Sequence, residues 1–182
     1  MRIITGSAKG AKLETLDGLD TRPTAERVKE SVFSMLQFEI ENRRVLDLFA
    51  GSGQMGLEAL SRGALSCTFV EKNLDAMAIV KKNAQKTRLI DRCKIINVDY
   101  KDYLRGARGR DKFDIVILDP PYSMKIIPEI LDSLVKFGLL NTNAKIVCES
   151  EDDTEYSHEG LETVRHSKYG RVYITLLSKK GE

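Results

Sequence analysis

The sequence predicts an α/β domain built on a mostly parallel sheet, and three observations carry that prediction. From Arg44 onward, segments with strand character alternate with segments of helical periodicity. One strand candidate, Ile115 to Leu118, is a continuous β-branched apolar run, as expected of a strand covered on both faces. The last two strand candidates, Leu161 to Ser167 and Val172 to Leu177, are separated only by Lys168-Tyr-Gly-Arg171, close enough for a hairpin, so one of them runs antiparallel to the rest.

Length and composition bound what such a domain can be. The 182 residues suit one domain with a substantial core, and 42% apolar with 31% charged residues is ordinary for a soluble globular chain. No run approaches a membrane span and Met1-Arg-Ile-Ile-Thr-Gly6 lacks the apolar core of a signal peptide, so the protein is expected in the cytoplasm. Cys67, Cys93 and Cys148 are odd in number and lie in apolar segments, which fits reduced core thiols. His158 and His166 are the only histidines, so zinc sites and Ser/His/Asp chemistry are not expected, nor is any other bound metal. The net charge of +2 is small but unevenly placed. Lys81 to Lys112 is rich in Lys and Arg, whereas Glu149 to Glu162 holds acids with no Lys or Arg. Two readings follow: a polarised surface that steers a polyanion, or ordinary solvated faces.

In chain order, Arg2 to Ile4 and Ala11 to Leu13 are short strand candidates around the turn Gly6 to Gly10, which makes residues 1–22 a small β appendage. Thr24 is a natural N-cap for a helix in which Val28, Val32, Met35, Leu36 and Ile40 recur at helical spacing. Arg22 and Arg27 flank that helix start, where anionic groups are favoured. The core then reads strand Val45 to Phe49, helix Leu57 to Ser61, strand Thr68 to Val70, helix Leu74 to Lys86, strand Lys94 to Val98, and a helix containing Tyr103 and Leu104. Strand Phe113 to Leu118, helix Ile127 to Phe137 with Gly138 as its C′ residue, strand Ala144 to Cys148 and the final hairpin complete it.

Between the first strand and its helix lies Asp47-Leu-Phe-Ala-Gly-Ser-Gly-Gln-Met-Gly56. Gly51, Gly53 and Gly56 satisfy G-x-G-x-x-G, and Glu71 follows at the end of the second strand, twenty positions after Gly51. Glycines let a ligand approach the backbone and an acid at that place accepts from ribose hydroxyls, so an adenosine-bearing cofactor is expected. The pattern by itself also suits NAD. S-Adenosylmethionine is favoured because Asp47 would hold a methionine ammonium but repel a pyrophosphate, and because a closing antiparallel hairpin is not expected of a simple dinucleotide fold. Asp47 also has a purely structural reading, as a strand-end group holding the loop. Asp99 ends the third strand and has two readings, acceptor for the adenine amino group or N-cap of the helix behind it.

The chemistry points to Ile115-Val-Ile-Leu-Asp-Pro-Pro-Tyr122. Asp119 falls at the carboxyl end of a buried strand, the edge where ligands sit in open parallel sheets. Neither Pro120 nor Pro121 has a backbone N–H, so the turn presents acceptors only, beside the face of Tyr122. Such a set suits a planar group bearing an exocyclic NH2, held by Asp119 and the Pro120 carbonyl and stacked on Tyr122. The expected reaction is attack by that amine on a sulfonium methyl, accelerated mainly by positioning, which supplies about 7 to 11 kcal/mol in ideal cases. Whether Asp119 takes the proton or only orients the amine stays open.

These motifs resemble the RsmD family of bacterial 16S ribosomal RNA guanine-N2 methyltransferases, nearly end to end. The likeness runs through Met1-Arg-Ile-Ile-Thr-Gly6, Thr21-Arg-Pro-Thr24, Leu46-Asp-Leu-Phe-Ala-Gly-Ser-Gly53, Leu57-Glu-Ala-Leu-Ser-Arg-Gly-Ala64, Val70-Glu71, Asp119-Pro-Pro-Tyr122 and Glu149-Ser150. Gln54-Met55 departs from the commoner Ala-Leu but keeps Gly56. The resemblance implies a class I S-adenosylmethionine-dependent methyltransferase fold: a Rossmann-like, seven-stranded, mostly parallel sheet with the last strand antiparallel, over residues 23–182, and a small RNA-facing β-hairpin and helix extension over 1–22. It implies Asp119, Pro120, Pro121 and Tyr122 as the residues that hold the base. Asp47, Phe49, Gly51, Ser52, Gly53, Glu71, Asp99 and Tyr100 would bind cofactor, and Arg22, Thr24 and Arg27 would meet the RNA. The implied partner is small-subunit ribosomal RNA, within an assembled or assembling subunit; a monomer is the default expectation. A DNA adenine-N6 methyltransferase uses the same acceptor turn, a protein-glutamine methyltransferase favours Asn in place of Asp119, and a non-catalytic cofactor- or RNA-binding module has no use for the turn.

Overall fold

The computed structural model describes residues 1–16, 23–121 and 125–181, with the side chains of residues 23–25 outside that description. The elements run α1 (Pro23–Met35), β1 (Arg44–Asp47), α2 (Gln54–Ser61), β2 (Ser66–Glu71), α3 (Leu74–Lys86), β3 (Cys93–Asn97), α4 (Tyr100–Ala107), β4 (Phe113–Leu118), α5 (Ile127–Lys136), β5 (Leu140–Ser150), β6 (Leu161–Tyr169) and β7 (Val172–Lys179). They build one seven-stranded sheet in the order β3-β2-β1-β4-β5-β7-β6. β7 runs antiparallel to both neighbours, while β3, β2, β1, β4 and β5 pair in parallel.

Burial on both faces follows directly from the sequence of the central strands. In β4, Ile115 and Ile117 pack into one apolar layer with α1, α2 and α3, whereas Val116 and Leu118 pack into the other with α4 and α5. Val45 and Leu46 of β1 divide in the same way. Gly56 makes the first layer possible at its tightest point, since a Cβ there would sit 2.3 Å from the Phe69 ring of β2. The helix-to-strand contact therefore requires glycine.

The amino-terminal segment is less a hairpin than expected. Its strands reduce to one bridge, Arg2 with Lys12, supported by Ile3 N–H to Ala11 carbonyl at 3.0 Å and Leu13 N–H to Met1 carbonyl at 2.9 Å. What holds it is α2. Glu58, fully buried, accepts the Ile4 N–H at 2.8 Å and the Thr5 N–H at 3.0 Å, and pairs with Arg62 at 2.8 Å and buried Lys29 at 3.6 Å. Lys29 in turn donates to the Arg2 carbonyl at 2.6 Å. Ser61 Oγ donates to the Thr5 carbonyl and accepts the Ala8 N–H, at 2.6 and 2.9 Å. Gly6 passes so close that a Cβ would lie 1.8 Å from the Ser61 carbonyl oxygen, at φ +89°. The motifs around Gly6 and around Glu58-Ala-Leu-Ser-Arg62 are thus two halves of one joint.

Helix starts also differ from expectation in one place. α1 begins at Pro23, a residue pre-set for the first helical position, so Thr24 lies inside the first turn instead of capping it. Asp99 is the N-cap of α4, accepting the Lys101 N–H at 2.9 Å, and Gly138 follows α5 with φ 66°. All three cysteines are free.

Candidate active site at the carboxyl edge of the sheet

The order of the sheet reverses between β1 and β4, where the chain goes to one side for β2 and β3 and to the other for β5. Such a switch point leaves a crevice at the carboxyl ends of its two strands. Asp47 ends β1, and Asp119 follows the last residue of β4, with Asp47 in register with Ile117. Glu71 ends β2 beside them, and Glu149 lies next to Ser150 at the end of β5, where Leu118 pairs with Cys148. A row of carboxylates therefore crosses the edge, drawn from four adjacent strands, with Asp99 one strand further on.

Each member of the row is held differently. Asp47 is buried and accepts the Gly56 N–H at 3.0 Å through Oδ2, so the expected loop-holding role is realised. Its carboxyl is pushed up to about 7, first by burial and then by the Glu71 charge, with the Gly56 N–H pulling the other way. Glu71 accepts the Gly51 N–H at 3.0 Å and the Asn73 N–H at 2.9 Å, tying the glycine loop to the end of β2. Gly51 and Gly53 take φ 54° and 79° around Ser52. Asp119 has no hydrogen bond or ion pair among the described residues. Part of Asp119 reaches the surface, yet its carboxyl sits deep enough that burial, the Glu149 charge and the Asp47 charge, in that order, hold it well above the usual carboxylate range.

The charges at this edge suit a cationic guest. Asp47 has no ion pair among the described residues, so a row of acids stands at this edge without a matching cation on Asp47 or Asp119. Among the described residues, the buried polar atoms Gln54 Oε1 at the start of α2 and Tyr100 Oη at the start of α4 lack partners. Phe49 and Tyr100 pack ring to ring, with centroids 5.3 Å apart and planes at 48°. Beside the acceptor turn a cleft of about 260 Å³ is lined by Pro120, Lys125, Ile127, Glu149, Ser150 and Tyr156. No group of His, Cys, Asp and Glu among the described residues is arranged to hold a metal.

Most sequence-predicted site residues therefore converge on one edge: Asp47, Phe49, Gly51, Ser52, Gly53, Glu71, Asp99, Tyr100, Asp119, Pro120 and Pro121. Tyr122 and Arg22 lie outside the described residues, as does the side chain of Thr24. Arg27 is exposed on α1 and its side chain has no partner among the described residues.

A residue that supports the glycine loop escaped the sequence reading. Asn83, fully buried in α3, donates through Nδ2 to the Ser52 carbonyl at 3.0 Å and to the Glu14 carbonyl at 2.9 Å, and accepts the Glu14 N–H at 2.8 Å. It joins the amino-terminal segment to the glycine loop. Its signal was present, since Ala76, Met77, Val80, Asn83 and Ala84 form the buried stripe of α3 and an amide in such a stripe must find partners.

Comparison with known proteins gives these features a family. Ribosomal RNA small subunit methyltransferase D of Haemophilus influenzae is 38% identical over 154 residues, covering 84% of this chain and 80% of its own. The solved structure of yhhF from Escherichia coli superposes with a TM-score of 0.88 at 31% identity, covering 100% of this chain and 99% of that one. SMU.776, solved in complex with SAH, shares the fold at a TM-score of 0.71 and 15% identity, over 82% of this chain and 49% of its own. The model of the family described as Conserved hypothetical protein 95 matches residues 1–178, and the chain belongs to that family, the RsmD family that its motifs resemble.

Proposed function

We propose that this protein transfers a methyl group from S-adenosylmethionine to the exocyclic N2 of one guanine in small-subunit ribosomal RNA. The observation that carries the reading is the placement of Asp119-Pro-Pro121 directly across the β1/β4 switch point from the glycine loop. A donor held by the loop and an amine held by the turn would then face each other.

S-Adenosylmethionine is the cofactor, and the residues fit it. Its ammonium charge would answer the unmatched Asp47 carboxylate, directly or through water. Glu71 would receive the ribose hydroxyls and Asp99 and Tyr100 would border the adenine, with Phe49, Gly51, Ser52 and Gly53 also holding the cofactor. The bound cofactor supplies an electrophilic methyl. On the other side, Asp119 and the Pro120 carbonyl accept the two N–H bonds of the guanine amine, and Tyr122 stacks on the base. An exocyclic amine is a weak nucleophile because its lone pair is delocalised into the ring, and this pair of acceptors favours the pyramidal form and aims the lone pair at the methyl. The nitrogen would form the new N–C bond as the donor's C–S bond breaks, which would leave the N–H proton acidic. Asp119, held above the usual carboxylate range, is a better base for that proton than an exposed aspartate.

Arg22, Thr24 and Arg27 are assigned to RNA contact, together with the amino-terminal segment, and the protein works as a cytoplasmic monomer on an assembled or assembling subunit. No helix among the described residues is long and apolar enough to cross a membrane. The test is to incubate the protein with methyl-labelled S-adenosylmethionine and small subunits, naked 16S ribosomal RNA or duplex DNA, then to digest to nucleosides. Label as N2-methylguanosine from small-subunit RNA is expected. Label as N6-methyladenine in DNA, or cofactor binding with no transfer to any of these, would overturn the reading.

A further inference from the structure

We propose that the β6–β7 turn, Lys168–Arg171, is a contact surface for the RNA strand that flanks the methylated guanine. This rests on the function proposed above. Register puts the turn at the same edge as Asp119: β7 is antiparallel, so its first residues stand beside the last of β5, with Tyr173 opposite Ser150 and Lys168 opposite Tyr173. β7 lies two strands from β4 and β6 three. At about 4.8 Å per strand that is about 10 and 14 Å from the strand bearing Asp119, within reach of neighbouring nucleotides.

The chemistry of the turn fits a polyanion with exposed bases. From Arg165 to Arg171 there is no acidic residue. Lys168 and Arg171 are exposed, and neither has an ion pair among the described residues. Lys168 Nζ lies 5.0 Å over the Tyr173 ring, which stacks on His166 at 5.9 Å and 13°. A cation beside a half-exposed aromatic is the pairing that holds single-stranded nucleic acid through phosphate and base face together. Asp153, whose charge also reaches Lys168, is engaged with His166 Nε2 at 2.9 Å. In the basic stretch from Lys81 to Lys112, Lys82, Lys94, Lys101 and Arg105 are drawn into pairs with acids of the protein itself.

The experiment compares the wild type with the double variant K168A/R171A in two readouts. On small subunits, KM for RNA is expected to rise about tenfold while kcat and S-adenosylmethionine affinity stay the same. In anisotropy with a single-stranded 16S RNA fragment, the slope of log affinity against log salt is expected to fall by about 1.4, for two lost phosphate contacts. Restored affinity in the charge-keeping K168R/R171K would support a role for charge over shape. Unchanged RNA affinity and salt slope would overturn the proposal. A raised KM on subunits with unchanged affinity for naked RNA would overturn it in favour of a protein contact. Loss of RNA affinity in a protein whose wild type transfers no methyl would leave the surface standing and remove the proposed function.

Discussion

Two regions of this molecule bury carboxylates and treat them in opposite ways. At the joint under the amino-terminal segment, both oxygens of Glu58 are answered by two backbone N–H groups and two cations. At the carboxyl edge of the sheet, Asp119 has no partner among the described residues and Asp47 has only neutral donors. The first arrangement is complete without a guest. The second is electrostatically unfinished, and its unmatched acids are what a cationic cofactor and a donor-rich amine would complete. Burial of charge is therefore scaffold in one place and binding capacity in the other, and the difference lies in whether the protein itself supplies the counter-groups.

The largest expected effect breaks the finished side. Glu58→Ala strands Lys29 in the interior and leaves the Ile4 and Thr5 N–H groups unanswered, so it should cost about 3–5 kcal/mol in denaturant unfolding. An unchanged midpoint would mean that the joint is ornamental to the fold. Asn83→Leu sits between the two regions. Losing its three hydrogen bonds should lower stability by about 2 kcal/mol and weaken cofactor binding about tenfold in calorimetry, with the saturated transfer rate unchanged. Cofactor affinity equal to wild type would show the glycine loop to be independent of the amino-terminal segment.

The smallest effect sharpens the unfinished side through pH. Asp47 has a folded value of about 7 against an ordinary 3.8, so the folded protein binds that proton more tightly than the unfolded chain. Its contribution to stability is full below 3.8 and is lost as pH rises through 7. A cationic ligand needs the ionised form, so its dissociation constant should increase about tenfold for each pH unit below 7, by the linkage of one proton. Asp47→Asn should flatten that dependence, and a slope that survives the substitution would place the titrating group elsewhere.

Much of this was legible in the sequence for identifiable reasons. The unbroken apolar run Ile115 to Leu118 announced a doubly covered strand, and the glycines after Asp47 announced the loop, because each pattern has few physical uses. Helix α3 was readable to its end residues. The Glu58 joint was not, since a glutamate in a helix is ordinary until the chain 54 positions away folds onto it. β5 extends from Leu140, well before the expected Ala144, because Asn141, Thr142 and Asn143 are polar and half-buried or exposed and so lack the continuous apolar signal. Thr24 was misread as a cap because a proline before it already serves as the first helical residue. Asn83 was overlooked amid lysines, although its place in the buried stripe demanded partners.

The most direct test of the contrast is Asp119→Asn, measured for transfer rate, cofactor affinity and stability in the same preparation, with Glu58→Gln as the counterpart. The account predicts that Asp119→Asn lowers kcat by about a thousandfold, or 4 kcal/mol, keeps cofactor affinity within about threefold, and makes the protein more stable above neutral pH, because a carboxyl held well above its usual range is costly to ionise. Glu58→Gln should do the reverse, losing stability while retaining the transfer rate of the folded fraction. Equal loss of transfer, cofactor affinity and stability in Asp119→Asn would contradict the account, because Asp119 would then be part of the scaffold.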